Sequence, residues 1–188
     1  MDMVIDFNPN DVLQNRLAEL MGLDKYKRIM EQAPKTDVSA DKDFQQLFNG
    51  YYRIRRDETW RNAYYTYFEK AKNANPSFED IITYLFEKSG GNVEASFSSK
   101  MLATINKEKP IWDQYVIQNL NLQLSGKTKE EKLKNAIHLY DEIEQWYAKF
   151  LESEKGKECV STFNRFFPEY EWISDTKKMD TILWSLRK

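Results

Sequence analysis

Four groups of residues carry chemistry in their type and spacing. Asp113, in the run Lys109-Pro110-Ile111-Trp112-Asp113, places a carboxylate within the first turn of a helix opened by a proline. Two readings are open. The acid stabilises that helix start through its dipole and free N–H groups, or it stands at a cleft, where it activates water or steadies a developing cation. Lys100, in Ser98-Ser99-Lys100-Met101, is either an amine nucleophile, a phosphate contact, or a side chain that snorkels from a helix surface. Gly90 and Gly91, followed by Asn92, allow positive φ and close approach of another group to the backbone. Such a turn closes a helix with a left-handed cap or points amides at a phosphate. Arg53, Arg55 and Arg56, beside Tyr51 and Tyr52, form the chain's densest basic and aromatic run. It suits phosphate contact and base stacking, or a solvated helix end paired with Asp57 and Glu58.

The elements that must position these residues read as helices throughout. Val12, Leu13, Leu17, Leu20 and Met21 repeat at helical spacing up to Gly22, and Leu23 to Gln32 continues until Pro34. Ser39 is the expected cap of a helix carrying Phe44, Leu47, Phe48, Tyr51 and Tyr52. Residues 57–73 place Trp60, Tyr64, Tyr67 and Phe68 on one face. Ser77 and Asp80 form a capping box ahead of Ile81, Ile82, Leu85 and Phe86, and a helix follows from Ser96 to Ile105. Thr128 and Glu131 box the longest helix, which runs to about Glu152. A helix with Cys159, Val160, Phe163 and Phe167 stops at Pro168, and Asp175 caps a last one. There is no alternating strand pattern and no internal repeat. The expectation is an all-α fold of eight to ten helices. Residues 1–188 form a single domain or two tightly packed lobes, with residues 80–88 and 95–106 paired as a hairpin across the glycines.

Composition narrows the function classes. The chain has 188 residues, 14% of them aromatic, and a formal charge of −2. No segment is strongly basic, which counts against autonomous, tight nucleic-acid binding but not against a local patch. No apolar run approaches the roughly 20 residues that span a bilayer, and the acidic start MDMVIDFNPND does not read as a signal peptide. A cytoplasmic protein without a membrane segment is expected. Cys159 is the only cysteine and His138 the only histidine, so neither a disulfide nor a transition-metal site is expected, and no cofactor. A Cys-His dyad is outweighed by an ordinary buried cysteine. His138 and the stripe Tyr140, Trp146, Tyr147 and Phe150 read as core.

The order helix, Gly-Gly turn, helix, short loop, Pro-x-x-Asp-x-x-Val resembles the centre of the helix-hairpin-helix DNA glycosylase superfamily. It is most similar to compact bacterial proteins with an 8-oxoguanine DNA glycosylase fold. The likeness rests on about 35 residues, 86–120. It implies that the turn Gly90-Gly91-Asn92 binds a DNA phosphate through backbone amides and that Asp113 serves catalysis in DNA repair. The family turn reads Pro-Gly-Val-Gly where this chain has Ser89-Gly90-Gly91-Asn92. Bifunctional members carry a lysine at the start of the second hairpin helix, where Val93, Glu94 and Ala95 stand here, with Lys100 about a turn and a half later. The resemblance therefore implies DNA as partner and a monofunctional base-excision hydrolase. The alternative is a non-enzymatic helical protein that binds a partner protein through exposed aromatic surface.

Overall fold

The computed structural model describes residues 7–15 and 22–186. Ten α-helices and no strand occur among them: α1 Pro9–Asn15, α2 Leu23–Gln32, α3 Lys42–Tyr52, α4 Glu58–Ala71, α5 Phe78–Lys88, α6 Ala95–Ile105, α7 Gln114–Asn119, α8 Lys129–Glu152, α9 Glu154–Phe166 and α10 Asp175–Ser185. The fold is all-α. Leu17, Leu20 and Met21, expected to extend the first helix, lie outside the described residues.

Local sequence explains most of the boundaries. Ser77 and Asp80 satisfy each other's backbone N–H groups ahead of α5, and Thr128 and Glu131 do the same for α8, which ends at Glu152. Two expected caps are displaced by nearby residues. Asp41, not Ser39, caps α3, accepting from the Phe44 amide at 2.9 Å, while the Ser39 hydroxyl is held by Asp37. Ser174, not Asp175, caps α10, which leaves Asp175 in the first turn. In both cases a competing Ser or Asp one or two positions earlier or later had the same capping chemistry.

The core is built from large rings. Phe44, Phe48, Tyr64, Tyr65 and Phe68 of α3 and α4 pack with centroids 5.3 to 6.3 Å apart, mostly tilted or edge-on. At the other end Phe78 of α5 stacks on Tyr140 of α8 at 3.8 Å. Burying one such side chain is worth about 1.5 to 3 kcal/mol, so the fifteen buried rings among the described residues hold the helices firmly. His138 departs from expectation: its side chain is 74% exposed on the solvent face of α8, beside Glu142. At position 138 the helix turns outward between the buried Ala136 and Tyr140. Cys159 is fully buried, and burial pushes its thiol up to about 11, which suppresses thiolate chemistry.

Helices α5 and α6 pack against each other, and their six-residue connection contains the glycines. Helix α7 packs on α10, and Asn119 donates its side-chain amide to the Leu183 carbonyl at 3.1 Å. No helix among the described residues is long and apolar enough to cross a membrane.

Candidate functional site

The glycine turn closes α5. Gly90 and Gly91 have φ of +68° and +86°, and the Gly91 amide donates to the Phe86 carbonyl at 2.8 Å, a left-handed helix cap. The Asn92 amide donates to the Ser89 hydroxyl, and the Asn92 side-chain amide to the Ser89 carbonyl. Lys129 of α8 reaches across to the Gly90 carbonyl at 2.7 Å, and its methylenes cover the face of Gly91. Two of the turn's amides are thus engaged within the protein.

The three arginines lie on the link between α3 and α4. Arg53 ends α3 in the left-handed conformation, φ +55°, and it and Arg55 are exposed. Arg56 instead donates from one guanidinium nitrogen to both oxygens of Glu94, each at 2.7 Å, and lies over the rings of Trp60 and Phe97. Glu94 is only 5% exposed. The pair therefore holds the start of α6 to the start of α4, and Asp57 is spent capping α4.

Lys100 occupies the middle of α6, and its surroundings are apolar on most sides. The ammonium sits 5.2 Å from the Phe97 ring and 5.9 Å from that of Tyr52, and donates to the Tyr52 carbonyl at the end of α3 at 3.3 Å. Burial pulls its pKa down to about 8; the Asp113 carboxylate opposes that shift, and Lys177 and Arg53 add to it. Such an amine has a neutral, nucleophilic fraction at physiological pH that an ordinary surface lysine lacks.

Asp113 is the N-cap of α7. Its Oδ1 accepts from the Tyr115 amide at 2.9 Å, and the side chain is half-buried. The helix-start role and an electrostatic influence on Lys100 coexist in one residue. The loop that delivers it is pinned at three successive residues. The Pro110 carbonyl accepts from the Tyr140 hydroxyl at 2.8 Å; the Ile111 amide donates to Asp180 Oδ1 at a long 3.5 Å; the Trp112 amide donates to the Ser99 hydroxyl at 2.9 Å. The last bond joins the neighbour of Lys100 directly to the neighbour of Asp113. Buried backbone groups require such partners, and here they come from α8, α10 and α6 together.

Sequence reasoning missed Asp180, Tyr147, Lys177 and Ser99. Asp180 is 5% exposed and accepts a hydrogen bond from the Tyr147 hydroxyl. Burial raises its pKa to about 6; Lys177 and the Tyr147 hydroxyl oppose the shift, and Asp113 reinforces it. Lys177 in turn lies 4.9 Å from the Tyr26 ring and 5.7 Å from that of Tyr51. The buried Tyr52 hydroxyl, towards Thr104, makes no hydrogen bond of good geometry. The one available signal was an acid wedged among Met179, Ile182 and Leu183, apolar residues of a short helix.

Lys100 thus lies within the electrostatic reach of Asp113 and Arg53, and the Trp112–Ser99 bond ties the Lys100 and Asp113 segments, whereas Gly90, Gly91, Asn92 and Arg56 are engaged in structural bonds. Two grooves open elsewhere. One of about 760 Å³ is bordered by Pro34, Lys72, Asn73 and Lys107, the other of about 420 Å³ by Pro76, Lys109, Asp141 and Glu144. Among the described residues no cluster of three or more His, Cys, Asp or Glu is placed to hold a metal. Trp172, 42% exposed and stacked on Tyr26, is the one large apolar side chain exposed among them. Comparison with known proteins finds no matching family model, no matching curated protein and no matching solved structure.

Proposed function

We infer that the protein is a DNA glycosylase-like enzyme that excises damaged bases, with Asp113 and Lys100 at its reacting centre. The observation that supports this reading most is the half-buried Lys100 amine, its pKa drawn down to about 8, within the field of the Asp113 carboxylate. Cleavage of a glycosidic bond passes through a cation-like sugar. An ionised carboxylate nearby lowers that barrier and takes the proton of the incoming nucleophile. When the nucleophile is water, Asp113 suffices and the enzyme is a simple hydrolase. When it is the Lys100 amine, a nitrogen–C1′ bond forms as the base departs with the glycosidic electron pair. Arg53 and Arg55, both exposed, are the two arginines of the basic run left free of the Glu94 pair to meet DNA phosphates, so binding is modest and salt-sensitive.

The test offers duplexes that each carry one damaged base, 8-oxoguanine first, and measures released base with and without borohydride. Release that disappears in Asp113→Asn supports the reading. Covalent trapping that disappears in Lys100→Ala assigns the amine as nucleophile, and release without trapping assigns water. Base release that persists in Asp113→Asn rejects the role of Asp113. No release by the native protein from any lesion replaces the enzymatic reading with partner-protein binding.

A further inference from the structure

We propose that Asp180 is the positioning residue of the site: its carboxylate, held between the Tyr147 hydroxyl and the Ile111 amide, fixes the buried loop 110–112 that leads directly into Asp113. The reaction it would serve is the one proposed above, but the geometry stands without it. Residues 110–112 are buried, and each gives one backbone group to a side chain from another helix. Tyr140 and Ser99 do this with neutral hydroxyls. Asp180 alone brings a charge into the interior, beside a second acid, Asp113.

A buried carboxylate is a costly way to receive one long backbone hydrogen bond, since a hydroxyl or amide satisfies the same donor without the desolvation of a charge. What the charge adds is strength and direction: the Tyr147 hydroxyl binds an ionised acceptor more tightly than a neutral one. That anchors Asp180 to α8, the helix that also holds Pro110 through Tyr140. The groups facing Asp180 are Lys177 on its own helix, Tyr147 and Tyr140 from α8, Tyr26 from α2, Tyr51 and Tyr52 from α3, and Asp113 at the start of α7. Lys177 is the only cation among them. It lies over the Tyr26 and Tyr51 rings, which keeps Asp180 from being neutralised by a close ion pair.

The experiment reads the Lys100 amine itself. The protein carries lysine labelled with 13C at Cε, and the Lys100 resonance is assigned by its loss in Lys100→Arg. Asp113 is the charge that holds the amine's pKa up. Asp180→Ala, by freeing the loop, should therefore lower the Lys100 titration midpoint by roughly half a pH unit or more and speed exchange of the Ile111 amide about tenfold or more. Asp180→Asn loses the same charge but keeps an acceptor for Ile111 and a weaker one for Tyr147, so its midpoint should move in the same direction by clearly less than in Asp180→Ala. Tyr147→Phe keeps the charge, loses the anchor and should move the midpoint in the direction of Asp180→Ala. It also serves should Asp180→Ala fail to fold. Equal shifts in the Ala and Asn variants would reduce Asp180 to a remote charge, and unchanged midpoints in Asp180→Ala or Tyr147→Phe would make it a packing residue; either result overturns the proposal. Base release, where the native protein shows it, should fall about tenfold to a hundredfold in Asp180→Ala and by less in Asp180→Asn. Absence of release from the native protein rejects the glycosylase reading and leaves the titrations to decide the role of Asp180.

Discussion

Two regions flank or occupy α6 and use their special residues in opposite ways. At its start, the glycine turn and Arg56 engage their polar groups with Phe86, Ser89, Lys129 and Glu94, and the result is a closed helix end and a fastened link. Midway along, Lys100 has, among the described residues, the Tyr52 carbonyl at 3.3 Å as its one hydrogen-bond acceptor, and burial works against its charge. The first region is satisfied and the second is electrostatically poised. Satisfied groups build stability, whereas a desolvated amine near a carboxylate stores reactivity at the expense of stability.

The largest effect expected from this contrast is on catalysis. Asp113→Asn should lower base release by a factor on the order of 10² to 10⁴ with little change in melting temperature, because asparagine also caps a helix. Lys100→Ala should remove any borohydride-trapped adduct. Trapping should rise as pH is raised towards about 8 and level off above it, following the neutral amine. A trapping rate independent of pH between 6 and 9 would break the contrast at its centre.

Arg56 tests the other side. Arg56→Ala strands the buried Glu94 carboxylate and, since the guanidinium itself is 39% exposed and screened by water, should cost about 1 to 2 kcal/mol in denaturant unfolding. Arg55→Ala, at an exposed position, should change stability by less than about 0.5 kcal/mol while weakening retention on DNA at low salt. Equal effects of the two on stability would mean that Arg56 is as dispensable as its neighbour.

The pH dependence of stability separates the regions further. Asp180 has a folded-state pKa raised to about 6 from 3.8, so the folded protein binds the extra proton between those values. Stability therefore falls as pH rises from about 4 to 6, and the full penalty is present above. Two units correspond to about 3 kcal/mol. Asp180→Asn should lack that decline relative to the native protein, as measured by urea unfolding across pH 4 to 7. For Lys100 the folded pKa is lowered, so its penalty is complete at neutral pH and relieved as pH rises from about 8 to 10.5. Lys100→Met should flatten that rise.

The helices were legible because apolar side chains recur at helical spacing and because Ser77 and Thr128 announce their boxes three residues ahead of an acid. Asp113 and Lys100 stood out by residue type. Their relationship did not, since it depends on Ser99 and Asp180, residues 13 and 69 positions from the backbone groups they hold. Tyr140 and Tyr147 were readable as core from their spacing, yet their hydroxyls hold the Asp113 loop in ways no periodicity encodes. Glu94 seemed an ordinary polar residue near a turn. Only the packing of α4 against the start of α6 turned it into the buried partner that engages the Arg56 guanidinium.

The glycines carry the most local test of the contrast. Both have positive φ, so an alanine at either is strained by about 1 kcal/mol. At Gly90 the new Cβ would enter open space, and nothing is added to that strain. At Gly91 it would meet the Lys129 Cδ at 2.7 Å, and this lysine can swing away only by giving up its bond to the Gly90 carbonyl. Gly91→Ala should therefore cost roughly 1 kcal/mol more than Gly90→Ala, the net value of one hydrogen bond to a charged group near the surface. Lys129→Ala should bring the two variants level. Because the Gly91 and Asn92 amides are already engaged, Gly90→Ala should leave DNA retention at low salt unchanged. A loss of binding there that exceeds the loss for Arg53→Ala would mean that the turn, and not the arginines, meets the phosphate, and would return the first region to the functional surface.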